Sequence, residues 1–477
     1  MKSFLCFIMI FIFFGITLYS FDTILHESCA VQSTHTSGSK DEHVLKAGFS
    51  RVKVTPPLGT FMTGFGNRDR DHGCEGIHDD LLANALYLTQ GKEEVLIMGF
   101  DLLFFSRDEA DRYKGAIGRA LDLSPKQILL NTSHTHTGPK VGTWYYTPSD
   151  THYLNWLEQA IVKAACEAHD SAREVTLWAG STRTALPMNR RMRDENGKIN
   201  LRPNPDGIVY NSLPIILLKD TEGKPVSLLF SVACHPSTIK GDARAYQISA
   251  DYPGTAMQKI DTFLGAGVSL FLQGAGGDSK ASVIGKGQKE WRSGTWDDVA
   301  EAGTMVGNEV VQAVTAGLTR IEPEIRNHII NVDLSLSPPM THAEYESISK
   351  DPNKEETIRQ WAQEQITLLD RGYKLATSVP VSVHGIQLGK GLRIIGIEGE
   401  IVAEIGLLIK NHYTDGITFA LGYSDGAQLY IPTSKMLDEG GYEVESYWEY
   451  RQPAPLAKGV EEKIIQSLNQ LKDCGIK

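Results

Sequence analysis

The chain has 477 residues, 41% of them apolar and 22% charged, a composition that fits a globular, enzyme-like protein and excludes a disordered or fibrous one. A formal net charge of −11 and a pI near 5.7 argue against nucleic acid or an anionic membrane surface as the main partner. The six cysteines include no Cys-x-x-Cys pair, so their spacing supports neither a thiolate zinc site nor a disulfide framework.

Lys2 followed by the uncharged, Phe-, Ile- and Leu-rich stretch 3–21 has the form of a targeting segment. Residues 1–21 are expected to be a signal peptide or an uncleaved membrane anchor, since the apolar stretch is long enough for either. Residues 22–46, polar and small toward their end, read as a tether. One large domain is expected over 47–477. Its expected place is outside the cytoplasm: secreted, periplasmic or anchored to the membrane and facing outward.

Strand-like runs follow at 48–54, 82–88 and 94–100, the last two joined as a hairpin across Gln90-Gly91-Lys92, which makes the sheet mixed. A helix pattern over 106–121 opens with a capping box formed by Ser106 and Glu109. A short apolar strand is expected at 127–131, and further strands at 175–179, 214–218, 227–233 and 268–272. Helix patterns cover 153–169, 255–264, 297–318, 355–376 and 456–471. Such alternation implies an α/β fold, a layered sandwich of helices on mixed β-sheet within a single large catalytic domain.

The stretch 131–139 reads NTSHTHTGP and closes the strand at 127–131. Alternate side chains on a strand share a face, so His134 and His136 are expected to project together, a pairing that suits a metal site. The competing reading is two polar residues starting a loop. Four more segments sit at strand-to-loop junctions, where functional side chains concentrate. SVACHPSTI places His235 after an apolar strand, where a lone buried histidine is the plainer reading. FLQGAGGDSKAS is a small-residue loop whose glycines would serve a turn needing positive φ. RIIGIEGEIVAEIG places Glu400 at a strand-to-helix turn, where a carboxylate can simply favour a helix N-terminus. LGYSDGAQLYIPT is a polar loop ending in Tyr430.

In this order, and with AGFSRVKVTP and GIHDDLLANALYL ahead of them, these segments resemble the neutral ceramidase family of zinc-dependent hydrolases, from about Ala47 to about Lys458. HTHTGP is similar to that family's His-Thr-His-Ser-Gly-Pro. The resemblance implies a Zn2+ site formed by His134, His235, Glu400 and Tyr430, with His136 beside the metal and not bound to it. It further implies an active-site arginine in Asn189-Arg190 and a tyrosine at Tyr442 in GGYEVES. The implied chemistry is hydrolysis of the N-acyl amide of ceramide or a related N-acyl lipid. His136 would move a proton to the leaving amine, while Arg190 and Tyr442 would hydrogen-bond the oxyanion.

The glycine loop departs from the family's pattern, in which a serine precedes Pro-Asn. Here the run is Gly276-Gly277-Asp278-Ser279-Lys280-Ala281, so either Ser279 or Lys280 takes the serine position. Ser279 would keep a hydroxyl for the substrate; Lys280 would bring a cation and favour an anionic substrate. Two other functions stay open. One is a metal-dependent hydrolase of another amide or ester, such as an N-acylated sugar, with Trp144-Tyr145-Tyr146 shaping the pocket. The other is a surface-tethered binding protein without catalysis.

Overall fold

The computed structural model describes residues 44–66, 68, 69, 71–142 and 149–477. The expected targeting segment and nearly all of the tether lie outside the described residues, as does the Trp144-Tyr145-Tyr146 run. Among the described residues no helix is long and apolar enough to cross a membrane.

Leu82–Gln90 and Glu93–Phe100 pair antiparallel through a two-residue turn with Gly91 at φ +62°, the glycine conformation that such a tight hairpin demands. Leu45–Lys53 pairs with the other side of Leu82–Gln90, and Ile128–Thr132 adds to Glu93–Phe100 in parallel. Helix Arg107–Leu121 begins at the expected capping box, with the Glu109 side chain accepting from the Ser106 backbone N–H.

Two more mixed sheets follow. One runs Val268–Gln273, Pro225–Val232, Ser212–Lys219, Thr176–Arg183 and Thr319–Ile321, with its first two strands parallel. The other runs Pro323–Ser335, Ser378–Gly389, Leu392–Ile397 and Ile417–Leu421, with its last two strands parallel. The expected layering of helix on mixed sheet therefore occurs three times.

Alternation along each strand explains how the layers join. Leu86, Leu88, Ile97 and Leu129 from the first sheet meet Ile216, Leu218, Leu229 and Leu270 from the second, and Ile386, Leu388, Ile394 and Phe419 from the third, in one central core. The intervening residues face outward onto helices. Leu96, Met98 and Leu130 meet Arg107–Leu121 and Thr151–Asp170. Ile215, Leu217 and Phe230 meet Asp251–Leu264 and Trp296–Ala316. Val381, Val383 and Ile395 meet Ala403–His412 and Val460–Asp473. Strands buried on both faces need apolar residues at every position, which is what the sequence supplies. Gly99 permits the closest approach of two sheets: a Cβ there would lie 2.6 Å from the Phe271 carbonyl oxygen.

Each sheet thus carries one parallel pair, and the carboxyl ends of the three pairs gather in one place. Asn131 ties them together. Its Oδ1 accepts from the Gln273 N–H at 2.7 Å, and its Nδ2 donates to the Gly422 carbonyl at 2.8 Å and Ser424 Oγ at 3.1 Å. Loops leaving the strand ends here carry nearly every residue singled out in the sequence.

Candidate active site

His134 and His136 do converge, with ring centroids 4.8 Å apart, but not by strand alternation. The strand ends at Thr132, and His134 sits in the left-handed region at φ +67°, a conformation non-glycine residues adopt at a cost and often at functional sites. Its N–H donates to the Leu102 carbonyl, and its ring Nδ1 lies 2.9 Å from the Leu103 carbonyl oxygen. His235 follows the strand Pro225–Val232 and is anchored in the same way, with Nδ1 2.7 Å from the Gly276 carbonyl oxygen. A carbonyl only accepts, so in both rings Nδ1 carries the hydrogen and Nε2 presents a lone pair.

Glu400 faces both lone pairs. Its Oε2 lies 3.3 Å from His134 Nε2 and 3.4 Å from His235 Nε2, with the carboxylate only 1% exposed. Two tyrosines hold it in place: Tyr423 donates to Oε2 at 3.2 Å, and Tyr450 donates to Oε1. Neither tyrosine had been picked out from the sequence. The helix N-terminus that Glu400 was expected to favour is served instead by Asp278, whose Oδ1 accepts from the Ala403 N–H at 2.8 Å. Burial raises the Asp278 carboxyl to about 7. Tyr430 completes the cluster, with its hydroxyl 3.3 Å from His235 Nε2.

These four residues fit a metal ion. Two imidazole lone pairs each lie within 3.4 Å of one carboxylate oxygen; all three atoms are acceptors, an arrangement that a cation between them relieves. Burial, reinforced by the Arg190 charge, pushes His235 down to about 3. Ligand bonds of about 2.0–2.1 Å in a tetrahedral zinc site imply donor separations of about 3.3–3.4 Å. The three donor separations given above are 3.3, 3.4 and 3.3 Å. The alternative trio of His134, His136 and His235 is looser, its donor atoms spreading over up to 4.8 Å. His136 has both ring nitrogens buried and without a hydrogen-bond partner. Its burial, with His134 and His235 nearby, holds it well below the usual imidazole range.

The glycine loop is needed for close approach rather than for unusual φ. Gly274, Gly276 and Gly277 all avoid the left-handed region, and a Cβ on Gly277 would lie 2.8 Å from the Glu400 and Ile401 carbonyl oxygens. Beyond the loop, Ser279–Ala281 pairs with Pro187–Arg193, which carries Arg190. Arg190 Nε donates to Glu443 at 2.8 Å, leaving its terminal nitrogens to face Tyr430 Oη at 3.0 Å and His235 Nε2 at 3.4 Å. Arg191 donates to the other Glu443 oxygen at 2.6 Å, so one carboxylate holds two guanidinium groups.

A cavity of about 270 Å³ opens beside the cluster, walled in part by His136, Arg190, Tyr430, Tyr442 and Lys280. Ser279 is fully buried and not part of that wall, so of the two alternatives it is Lys280 that faces the cavity. Strand alternation explains the outcome: neighbours on Ser279–Ala281 point to opposite sides. Tyr442 stands at the cavity, 5.6 Å between ring centroids from Tyr430, but its hydroxyl donates to Glu449 at 2.8 Å. Its ring, rather than its O–H, is what Tyr442 offers Arg190.

No family model matches the sequence, and no curated protein matches it. Two solved structures are similar in fold. Neutral ceramidase from Pseudomonas aeruginosa superposes with a TM-score of 0.69 at 14% identity, over 91% of this chain and 74% of that one. A ceramidase complexed with C2 gives a TM-score of 0.69 at 13% identity over the same shares. Strands from three sheets delivering one buried cluster are thus set in the fold of neutral ceramidase.

Proposed function

We propose that the chain is a neutral-ceramidase-like amidohydrolase that holds zinc through His134, His235, Glu400 and Tyr430 and cleaves an N-acyl amide to a fatty acid and an amine. The observation that carries this reading is the set of inward-facing donor atoms, 3.3 to 3.4 Å from their neighbours as in a zinc site, at the wall of a cavity. Likeness in fold to the ceramidases supports the reaction class. Ceramide or a related N-acyl lipid is the substrate this likeness favours, and export through residues 1–21 belongs to the same proposal.

When bound, zinc supplies Lewis-acid polarisation of a carbonyl and a more acidic water near neutral pH. The protein's own groups do the rest. Arg190, fixed through Nε by Glu443, aims its terminal N–H groups where a carbonyl oxygen gains negative charge; losing one such donor typically costs about 3–4 kcal/mol of barrier. His136 has an unpartnered nitrogen at the cavity wall, able to take a proton from the attacking water and pass it to the departing amine nitrogen. Tyr430 and Tyr442 pack around Arg190 and limit its rotation.

The test is direct. Purified protein is analysed for bound metal, stripped, reloaded with zinc, and incubated with ceramides, N-acyl amino acids and N-acetylated sugars. Zinc near one equivalent and zinc-dependent release of a primary amine are expected. Absence of bound metal in both the protein as purified and the reloaded protein would falsify the reading and favour a binding protein.

A further inference from the structure

We infer that the substrate of this site carries an anionic oxygen group, a carboxylate or a phosphate, bound by Lys280 with Lys240 behind it. The inference rests on the amidohydrolase reading and narrows its substrate class.

Lys280 is only 8% exposed and lines the cavity together with His136 and Arg190. Its strand is fixed beside the cluster, because the Ser279 carbonyl accepts from the His235 N–H at 3.0 Å and Lys280 itself bridges to His235. The ammonium stands 5.4 Å from the Trp291 ring centroid, and among the described residues no carboxylate forms an ion pair with it. A buried ammonium without a counter-ion is costly.

The other charges on the cavity wall do not relieve it. Lys240 adds a second cation. Arg190 is already matched by Glu443, and Glu290, the wall's one carboxylate among the described residues, lies 2.7 Å from Arg202. Asp251, a buried acid acting on Lys280, spends its oxygens on Thr238 at 2.7 and 2.9 Å. A neutral amide would leave the buried Lys280 ammonium unmatched. An oxyanion near the scissile bond supplies the missing charge while the amide carbonyl faces Arg190.

Three amides of equal acyl length separate the possibilities: N-acylglycine bears a carboxylate, N-acyl-O-phosphoethanolamine a phosphate, and N-acylethanolamine neither. Binding to the zinc-loaded protein is measured by calorimetry, and kcat/KM is measured in parallel. The anionic amides are expected to bind at least tenfold more tightly than the neutral one, with the difference in KM, and to lose most of that advantage in Lys280→Gln. Lys280→Arg should keep part of it. Lys240→Gln, an exposed change that does not threaten folding, should reduce it about threefold. Equal binding of all three amides, or an advantage that survives both glutamine variants, overturns the inference. Cleavage of the neutral amide with no such advantage leaves the amidohydrolase reading standing. Anion-selective binding without cleavage of any amide upholds the lysine site and sinks the hydrolase.

Discussion

Glu443 shows how much of the site rests on a residue the sequence does not advertise. It sits far along the chain from Arg190 and Arg191, in a short helical turn with no motif spacing, and is legible only once the fold brings them together. His134, His235, Glu400 and Tyr430 each close an apolar run or a polar loop, but only the family resemblance joined them into one set. Tyr423 and Tyr450 were not legible, since a tyrosine in a loop reads as packing until its hydroxyl is seen on Glu400. Glu443→Gln leaves the buried Arg190 guanidinium without a counter-charge and Arg191 with only Glu439, at 3.4 Å, and breaking such a buried pair costs about 3–5 kcal/mol. Denaturant unfolding should register that loss, and kcat should fall as Arg190 loses its aim. A variant as stable as the parent would show that solvent already reaches both arginines. His235→Ala should abolish zinc retention on dialysis, and full metal content in that variant would remove His235 from the ligand set.

Among the elements, the longer strands of the first two sheets were legible because their apolar runs are bounded by turn residues, whereas the short polar edge strands Arg173–Glu174 and Thr319–Ile321 were not. The third sheet was harder: its long strand Pro323–Ser335 carries Arg326, Asn327, His328 and Asp333, so a partly exposed strand hides its periodicity. Two helices are shorter than their patterns. Glu356–Asp370 stops before Gly372 at φ +78°, and Val460–Asp473 starts only after Gly459 at φ +102°. The loop that delivers Tyr423 and Tyr430 depends on Asp425, itself in the left-handed region. Asp425 accepts from the Leu130 N–H at 3.0 Å and lies 2.7 Å from Lys114 Nζ and 2.8 Å from His384 Nδ1. Burial opposes its ionisation, but Lys114 and His384 outweigh that and lower its pKa from 3.8 to about 2. A folded pKa below the unfolded one gives stability that is present above about pH 4 and lost as pH falls toward 2, here about 2 kcal/mol. The difference in unfolding free energy between the parent and Asp425→Asn should therefore shrink as pH is lowered from 5 to 2. A difference independent of pH over that range would mean that Asp425 holds the loop by shape and not by charge.

At the scale of the whole molecule, helix-on-sheet layering was readable from the alternation of patterns, but the gathering of three sheets around one core was not. Hydrophobic period reveals that a strand is buried on both faces; it does not reveal which distant sheet lies against it. Asn131 illustrates the gap. In sequence it is the last residue of a short strand, yet its amide contacts the strand ends of both other sheets at full burial. Those contacts set the spacing between the loops that bear His134, the glycine turn supporting His235, and Tyr423. Asn131→Asp keeps the acceptor for the Gln273 N–H but turns the donor toward Gly422 and Ser424 into a second acceptor. Each buried group left unpaired costs about 1–3 kcal/mol, so a marked drop in Tm is expected. Zinc affinity, measured by competition with a chelator, should fall at least tenfold even though Asn131 touches none of the proposed ligands. A variant that loses stability but keeps its zinc affinity would show that the sheets hold the ligand loops in register without the Asn131 bridge, through the central core alone.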